Sequence, residues 1–340
     1  PVYNEAAVVA ETLEAILALD YPASQLQVLV ISDASTDGTD AIVETFASRG
    51  VQLVRQDERR GKTAAENAAW HYLDGEIILC TDASVRLEKG ALRALVAEFE
   101  DPTVGVASGR DVSVSRMESG ANPGESAYVG YEMWIRDRET LVGSIVGASG
   151  CLYATRAELH RHVLPEELSR DFGAVLHARM HGYRSVSSRN AICFVPRSAS
   201  LRQEYRRKVR TMTRGLGTLF HYGRLLDPFR YGRFSWMLAS HKLARWLVPW
   251  AAFASVLVIA VLAREYTIAR VALAAVVAGC AAALIAWNWR SSRPLPKALA
   301  TPAFAVCGLI AGMHAWLRLF IRQSAPVWEP TRRDRLGTAP

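Results

Sequence analysis

Two aspartates stand where short apolar runs end. Residues 27–32 (QVLVIS) run into Asp33, residues 76–81 (EIILCT) run into Asp82, and each aspartate is followed by Ala-Ser. At a strand tip a carboxylate can accept from a ribose hydroxyl or a base N–H, and a hard cation such as Mg2+ takes oxygen ligands beside phosphates. Either aspartate alone would serve equally well as a turn or helix cap. As a pair with matching small polar turns, they point to a nucleotide and a metal. A third feature is the densest basic run in the chain: Arg202, Arg206, Arg207, Lys208, Arg210 and Arg214. It suits a diphosphate, an anionic lipid surface, or a mixture of the two. Nucleic acid comes last, because no aromatic platforms are interleaved with the run.

The elements around these residues follow from hydrophobic spacing. Residues 27–32, 51–54, 76–81 and 104–108 read as strands. A helix after Asp37-Gly38-Thr39 carries Ile42, Val43 and Phe46 at helical spacing, and 61–73 reads as a second helix. Strands alternating with helices predict a parallel sheet covered on both faces, with ligands beyond the carboxyl ends of its strands. The opening Pro1-Val2-Tyr3-Asn4-Glu5 reads as the loop after a first strand that is missing, so a truncated N-terminus is expected.

Composition narrows the class. Among 340 residues, 50% are hydrophobic and 21% charged, enough apolar material to bury a core and exclude general disorder. Cys80, Cys151, Cys193, Cys280 and Cys307 are scattered without CxxC spacing, which excludes a disulfide scaffold and suits buried thiols of a reducing compartment. The net charge of +7 suits an anionic partner without choosing one. Distribution is more telling than totals. Residues 246–263, 271–289 and 299–317 are nearly free of charge, end at Arg264, Arg290 and Arg318, and carry Trp246, Trp250, Trp287, Trp289 and Trp316 near their ends. Each approaches the roughly 20 residues that cross a bilayer, and the tryptophans fall where an interfacial belt would. Four segments result: 1–200, an α/β domain; 201–245, a basic interfacial segment in which Leu216, Leu219, Phe220, Tyr222, Leu225 and Leu226 form an amphipathic stretch; 246–320, transmembrane helices; and 321–340, an arginine-rich tail.

In order along the chain, PVYNEA (1–6), SDASTDGT (32–39), RGKTAAENAA (60–69), CTDAS (80–84), GASGCLYATR (147–156), RDFGAVLHARMHGYRSV (170–186), RQEYRRKVRTMTRG (202–215) and VWEPTRR (327–333) resemble the motifs of glycosyltransferase family 2, in its membrane-bound polysaccharide synthase-like branch. The resemblance implies a GT-A fold, Rossmann-like and built to bind nucleotide-diphospho-sugars, followed by an α-helical transmembrane module. It implies inverting transfer with Mg2+ or Mn2+ as cofactor. Pro1, Tyr3, Asn4 and Glu5 would line the nucleotide pocket, Asp33 and Ser35 would hold base or ribose, and Lys62 and Asn67 would shape the diphosphate side. Asp82, with Ala83, would take the donor and bind the metal. Asp171 would be the catalytic base, with Glu166 and Glu167 as fallbacks. Gly147, Ser149, Gly150, Gln203, Arg206, Arg207 and Arg210 would lie toward the acceptor and diphosphate.

Two departures bear on this. Ser84 replaces a second acid of the metal motif, and Arg170 precedes Asp171, where an arginine in contact would lower its basicity. The implied partners are a nucleotide-diphosphate sugar, a UDP-sugar foremost, a polysaccharide or lipid-linked acceptor, and the bilayer. Single transfer to polyprenyl phosphate and a non-catalytic sugar-nucleotide scaffold are the alternatives. A transporter is disfavoured, since the apolar runs lack intramembrane charges. Cytosolic donors would place the first domain in the cytosol. Three crossings would then put the tail on the far side, whereas its arginines favour the near one.

Overall fold

The computed structural model describes residues 1–114, 123–196, 201–289 and 296–323. It begins with α1 (Val9–Leu17), β1 (Val28–Ser32), α2 (Thr39–Glu44), β2 (Val51–Arg55), α3 (Lys62–Ala69) and β3 (Ile77–Thr81). Next come β4 (Arg86–Leu87), α4 (Ala91–Ala97), β5 (Val104–Val114), α5 (Pro123–Val142), β6 (Leu152–Arg156), α6 (Ala157–His160), α7 (Arg170–Met180) and β7 (Arg184–Pro196). The remainder is helical: α8 (Leu201–His221), α9 (Pro228–Tyr231), α10 (Arg233–Met237), α11 (Ala244–Leu262), α12 (Thr267–Trp287) and α13 (Lys297–Phe320). The tail motif at 327–333, its arginines and Arg290 lie outside the described residues.

The strands predicted from spacing form, but the sheet is not all parallel. β1 and β2 pair in parallel, with Val28 opposite Val51. Val2 bridges to Ser32 beside them: its N–H donates to Ile31 O at 2.8 Å, and its carbonyl accepts from Asp33 N at 2.9 Å. A second sheet has the order β3-β6-β5-β7-β4, in which only β5 and β7 run parallel. The physical reason lies in the 143–151 loop, which delivers β6 at the carboxyl end of β3, so that Leu152 pairs with Thr81 and the strand must run back. This reversal lays the glycine segment against Asp82. Leu95, Val104, Leu152 and Cys193 are fully buried between this sheet and α4. Each large apolar side chain so buried contributes on the order of 1.5–3 kcal/mol.

Three helical stretches are long and apolar enough to cross a membrane: Arg233–Leu262, Thr267–Trp287 and Ala298–Phe320. On α11 and α12, Leu257, Val258, Val261, Ile268, Val271 and Val277 are exposed, the surface that lipid-facing helices present. The amphipathic stretch expected to face the interface behaves differently. Leu216, Leu219, Tyr222 and Leu225 are buried against Leu164, Phe172, Leu176, Trp246 and Trp316, and of this group only Phe220 remains half exposed. The apolar face of α8 is covered by α7, α11 and α13.

Candidate active site

The first loop is a clasp. Asn4 sits in the left-handed region, at φ 52°, which a short amide side chain tolerates. Its Oδ1 accepts from Thr36 N at 2.8 Å, and its own N–H donates to Ser35 Oγ at 3.2 Å. Glu5 N donates to Thr39 Oγ at 2.9 Å, and the Arg59 guanidinium stacks 3.7 Å over the Tyr3 ring beside Pro1. Ser35 and Ala83 are both buried, Ala83 within the apolar cluster of Val2 and Val9. Asp33 is 3% exposed; Oδ1 accepts from Arg60 N and Oδ2 from Gly61 N, both at 2.8 Å. Its carboxylate therefore fixes the turn into α3, which Gly61 makes at φ 95°.

That turn aims Lys62. Its ammonium donates to Asp82 Oδ1 at 2.6 Å and to Gly150 O at 2.9 Å, with Glu66 one helical turn on at 3.9 Å. Burial works against the charge, yet Asp82 and Glu66 outweigh it and hold Lys62 protonated well above the usual lysine range. Asp171, in the first turn of α7, accepts from Ser169 Oγ at 2.6 Å through Oδ1. Its Oδ2 lies against Gly150, 3.2 Å from where a β-carbon would stand, so a larger residue there would press on the carboxylate. Asp33 through Gly61, Asp82 through Lys62, and Asp171 through Gly150 thus meet around the start of α3.

Arg170 does not contact Asp171. Its guanidinium turns inward, donating to the carbonyls of His160 and His162 and to Asn67 Oδ1. The expected lowering of Asp171 basicity by this neighbour therefore has no contact behind it. Asn67 likewise serves the loop rather than a ligand, donating to Leu164 O at 2.7 Å and accepting from Leu164 N at 3.1 Å. Glu166 pairs with Arg60 on the outer face.

From Asp171 a cleft of about 450 Å3 runs between α5, α8, α11 and α13. Gly147, Gly150, Asp171 and Arg207 line it, while Ser149 stands just behind, donating to Asp111 Oδ1 at 2.6 Å. Residues 204, 207, 208, 211, 212 and 215 of α8 face the cleft at three- and four-residue spacing, which leaves Gln203, Arg206 and Arg210 on other sides of the helix. Arg214 braces the base of the site, donating to Thr63 Oγ at 2.6 Å and to Leu168 O.

Sequence reasoning missed a buried charge cluster on the opposite wall. Glu132 accepts from Lys242 Nζ at 3.0 Å and Arg245 Nη1 at 2.7 Å, with His241 Nε2 at 3.2 Å. Glu139 meets His241 Nδ1 at 2.6 Å. Burial would raise the Glu132 carboxyl, but Lys242, His241, Arg136 and Arg245 hold it well below the usual carboxylate range. The available signal was the polar HKLAR segment just before the first apolar run.

A divalent ion fits the donor set at Asp82. MgII-type cations commonly take one or two carboxylates, several waters and substrate phosphates, and Asp82 offers one part-exposed carboxylate now answered by a lysine cation. Among the described residues no cluster of three His, Cys, Asp or Glu could hold the ion by itself, so donor phosphate oxygens would have to complete the shell.

Residues 1–163 match the family model described as Glycosyl transferase family 2. Beta-monoglucosyldiacylglycerol synthase of Nostoc sp. is 29% identical over 146 residues, 42% of this chain and 31% of that protein. Poly-beta-1,6-N-acetyl-D-glucosamine synthase of Staphylococcus epidermidis is 29% identical over 109 residues, 32% of this chain and 26% of that protein. The matched segments thus span less than a third of those relatives. A mannosyltransferase of Pyrobaculum calidifontis, solved with GDP-Man and Mn2+, superposes with a TM-score of 0.71 at 26% identity, covering 95% of this chain and 86% of that one.

Proposed function

Residues 1–163 match the Glycosyl transferase family 2 model, and on that premise we propose a membrane-anchored, inverting enzyme that moves a sugar from a nucleoside-diphosphate donor to an acceptor hydroxyl on a polysaccharide or lipid. The observation that supports it is the convergence on Gly150: the Lys62–Asp82 pair reaches its carbonyl, and the Asp171 carboxylate lies against its α-carbon.

Asp171 is the base. Ser169 holds Oδ1, which orients the carboxylate with Oδ2 toward the glycine segment and the cleft. There it takes the proton of the acceptor hydroxyl as that oxygen bonds to the anomeric carbon. The bond from that carbon to the diphosphate breaks on the opposite face, and its electron pair leaves with the nucleotide. One displacement inverts the centre, so an α-linked donor gives a β-linkage. Lys62 supplies positive charge beside the leaving diphosphate. A divalent ion bound at Asp82 would neutralise developing phosphate charge. The clasp of Asn4 on Ser35 and Thr36, with Asp33 fixing the α3 turn, shapes the nucleotide side. A non-catalytic scaffold rested partly on Arg170 disabling Asp171, and Arg170 turns away.

The test incubates detergent-solubilised protein with UDP-, GDP- and dTDP-sugars and Mg2+ or Mn2+, following release of nucleoside diphosphate. Asp171→Asn should lose roughly 10²–10⁴ in kcat while still binding donor. Full activity in that variant would overturn the assignment of the base.

A further inference from the structure

The cleft that begins at Asp171 ends among the helices apolar enough to cross a membrane. Its far walls are Val248 and Pro249 of α11 and Gly308 and Leu309 of α13. Between the two ends the polar residues come first: Lys242, just before α11, and Arg245 precede Trp246, then Val248 and Pro249. Lys242 is close to the reaction centre, since a β-carbon on Gly147 would stand 2.9 Å from its Cε. Trp246 packs edge-on against Phe172, the neighbour of Asp171, with ring centroids 5.9 Å apart.

Charge along this stretch is uneven. Arg136, Arg207, Lys208, Lys242 and Arg245 line it, against the carboxylates of Glu132 and Glu204. Glu204 is engaged by Arg207 at 2.8 and 2.9 Å and by Lys208 at 3.7 Å, and Glu132 by Lys242 and Arg245. The cations outnumber the acids beside low-dielectric walls, where excess charge is costly without a counter-ion. Asp111 and Asp171 line the same cleft, which leaves five cations against four carboxylates.

From this order we propose that the acceptor, in the transfer reaction argued above, is a membrane lipid in which a phosphate joins the tail to a hydroxyl-bearing headgroup. The hydroxyl meets Asp171, the phosphate lies among Lys242, Arg245, Arg207 and Lys208, and the tail leaves between α11 and α13. The cleft volume of about 450 Å3 falls within the range of small-molecule sites. Such an acceptor diffuses in from the bilayer and never enters water. The new glycosidic bond forms at its headgroup oxygen, the proton passes to Asp171, and the phosphate is not cleaved.

The experiment uses the full chain in nanodiscs containing brominated phosphatidylglycerol, brominated diacylglycerol of the same chains, or neither, with tryptophan fluorescence as readout. Brominated phosphatidylglycerol should quench more than the neutral lipid, and unbrominated phosphatidylglycerol should compete. The excess should fall at least tenfold in apparent affinity in Gly308→Leu, a substitution with open space at its β-carbon, and in Lys242→Gln. Water-soluble glycerol 3-phosphate should not compete. Equal quenching by both lipids, indifference to Gly308→Leu, or full competition by glycerol 3-phosphate would each overturn the proposal. Nucleoside diphosphate release from the donor panel is followed in the same preparations. Its complete absence would sink the transferase reading and leave the lipid result standing, whereas release without lipid selectivity would sink only this inference.

Discussion

At the scale of single residues, the site turns on a lysine that answers a carboxylate. Lys62 and Asp82 meet at 2.6 Å with side chains about one-fifth exposed, so each partly supplies what a bound ion and diphosphate would supply. Lys62→Met should therefore act in two directions. Without donor, Asp82 loses its competing cation, and Mn2+ affinity measured by paramagnetic resonance should rise severalfold. With donor, the diphosphate loses a positive neighbour, and donor KM should rise about tenfold, the worth of one charge-assisted contact of some 1.5 kcal/mol. Lowered Mn2+ affinity in the variant would show that Lys62 supports the metal site rather than occupying its place. Local motifs made Asp33, Lys62 and Asp82 readable from sequence, because each follows a short apolar run or opens a helix. Their division of labour was not readable: Asp33 spends its oxygens on the amides of Arg60 and Gly61, a contact that depends on how the loop closes.

Elements set the next level. Strand positions followed from β-branched runs, but parallel or antiparallel pairing depends on where a loop delivers the next strand, and β6 returns from the carboxyl edge of β3. Helix α8 shows the same limit. Its basic run was plain, yet which arginines face the cleft follows from its rotation against α13 and α11, which sequence spacing alone leaves free. The loop before α7 rests on Arg170, whose guanidinium serves two carbonyls and Asn67. Arg170→Met keeps the bulk and deletes these contacts, leaving buried acceptors unmet. Unfolding should become easier by about 2–4 kcal/mol, seen as a drop in apparent melting temperature. If the loop is the route by which Arg170 matters, kcat should fall while donor binding persists, because Ser169 and Asp171 flank Arg170 directly. An unchanged melting temperature would remove this buttressing role.

Across the whole molecule, the α/β domain and the helices apolar enough to cross a membrane share one packed seam: Phe172, Leu216, Leu219, Trp246, Ala315 and Trp316 are buried together, and the Trp316 indole donates to Trp246 O at 2.8 Å. Next to this seam lie histidines kept neutral. Burial, then the nearby Arg170, lowers His160 to about 3, and burial, then His162 and His181, lowers His177 to about 4. In the unfolded chain both titrate near 6.5. Between those values the unfolded chain binds protons that the folded one refuses, so stability is complete above about pH 6.5 and falls as pH drops toward 4. The slope is up to about 1.4 kcal/mol per pH unit for a fully shielded histidine, and less for His177, which is partly exposed. Apparent melting temperature in detergent at pH 7, 6 and 5 should fall stepwise, and His160→Phe should flatten that fall even if it shifts the whole curve. Equal slopes in wild type and variant would mean that His160 is not the group that couples acid to unfolding. The seam gives the acid response a functional consequence: loosening His160 frees Arg170, Arg170 positions the loop of Asp171, and the same loop borders the cleft that opens toward α11 and α13. Activity should therefore decline over the same pH interval as stability, and faster than protonation of a lone, exposed carboxylate would require.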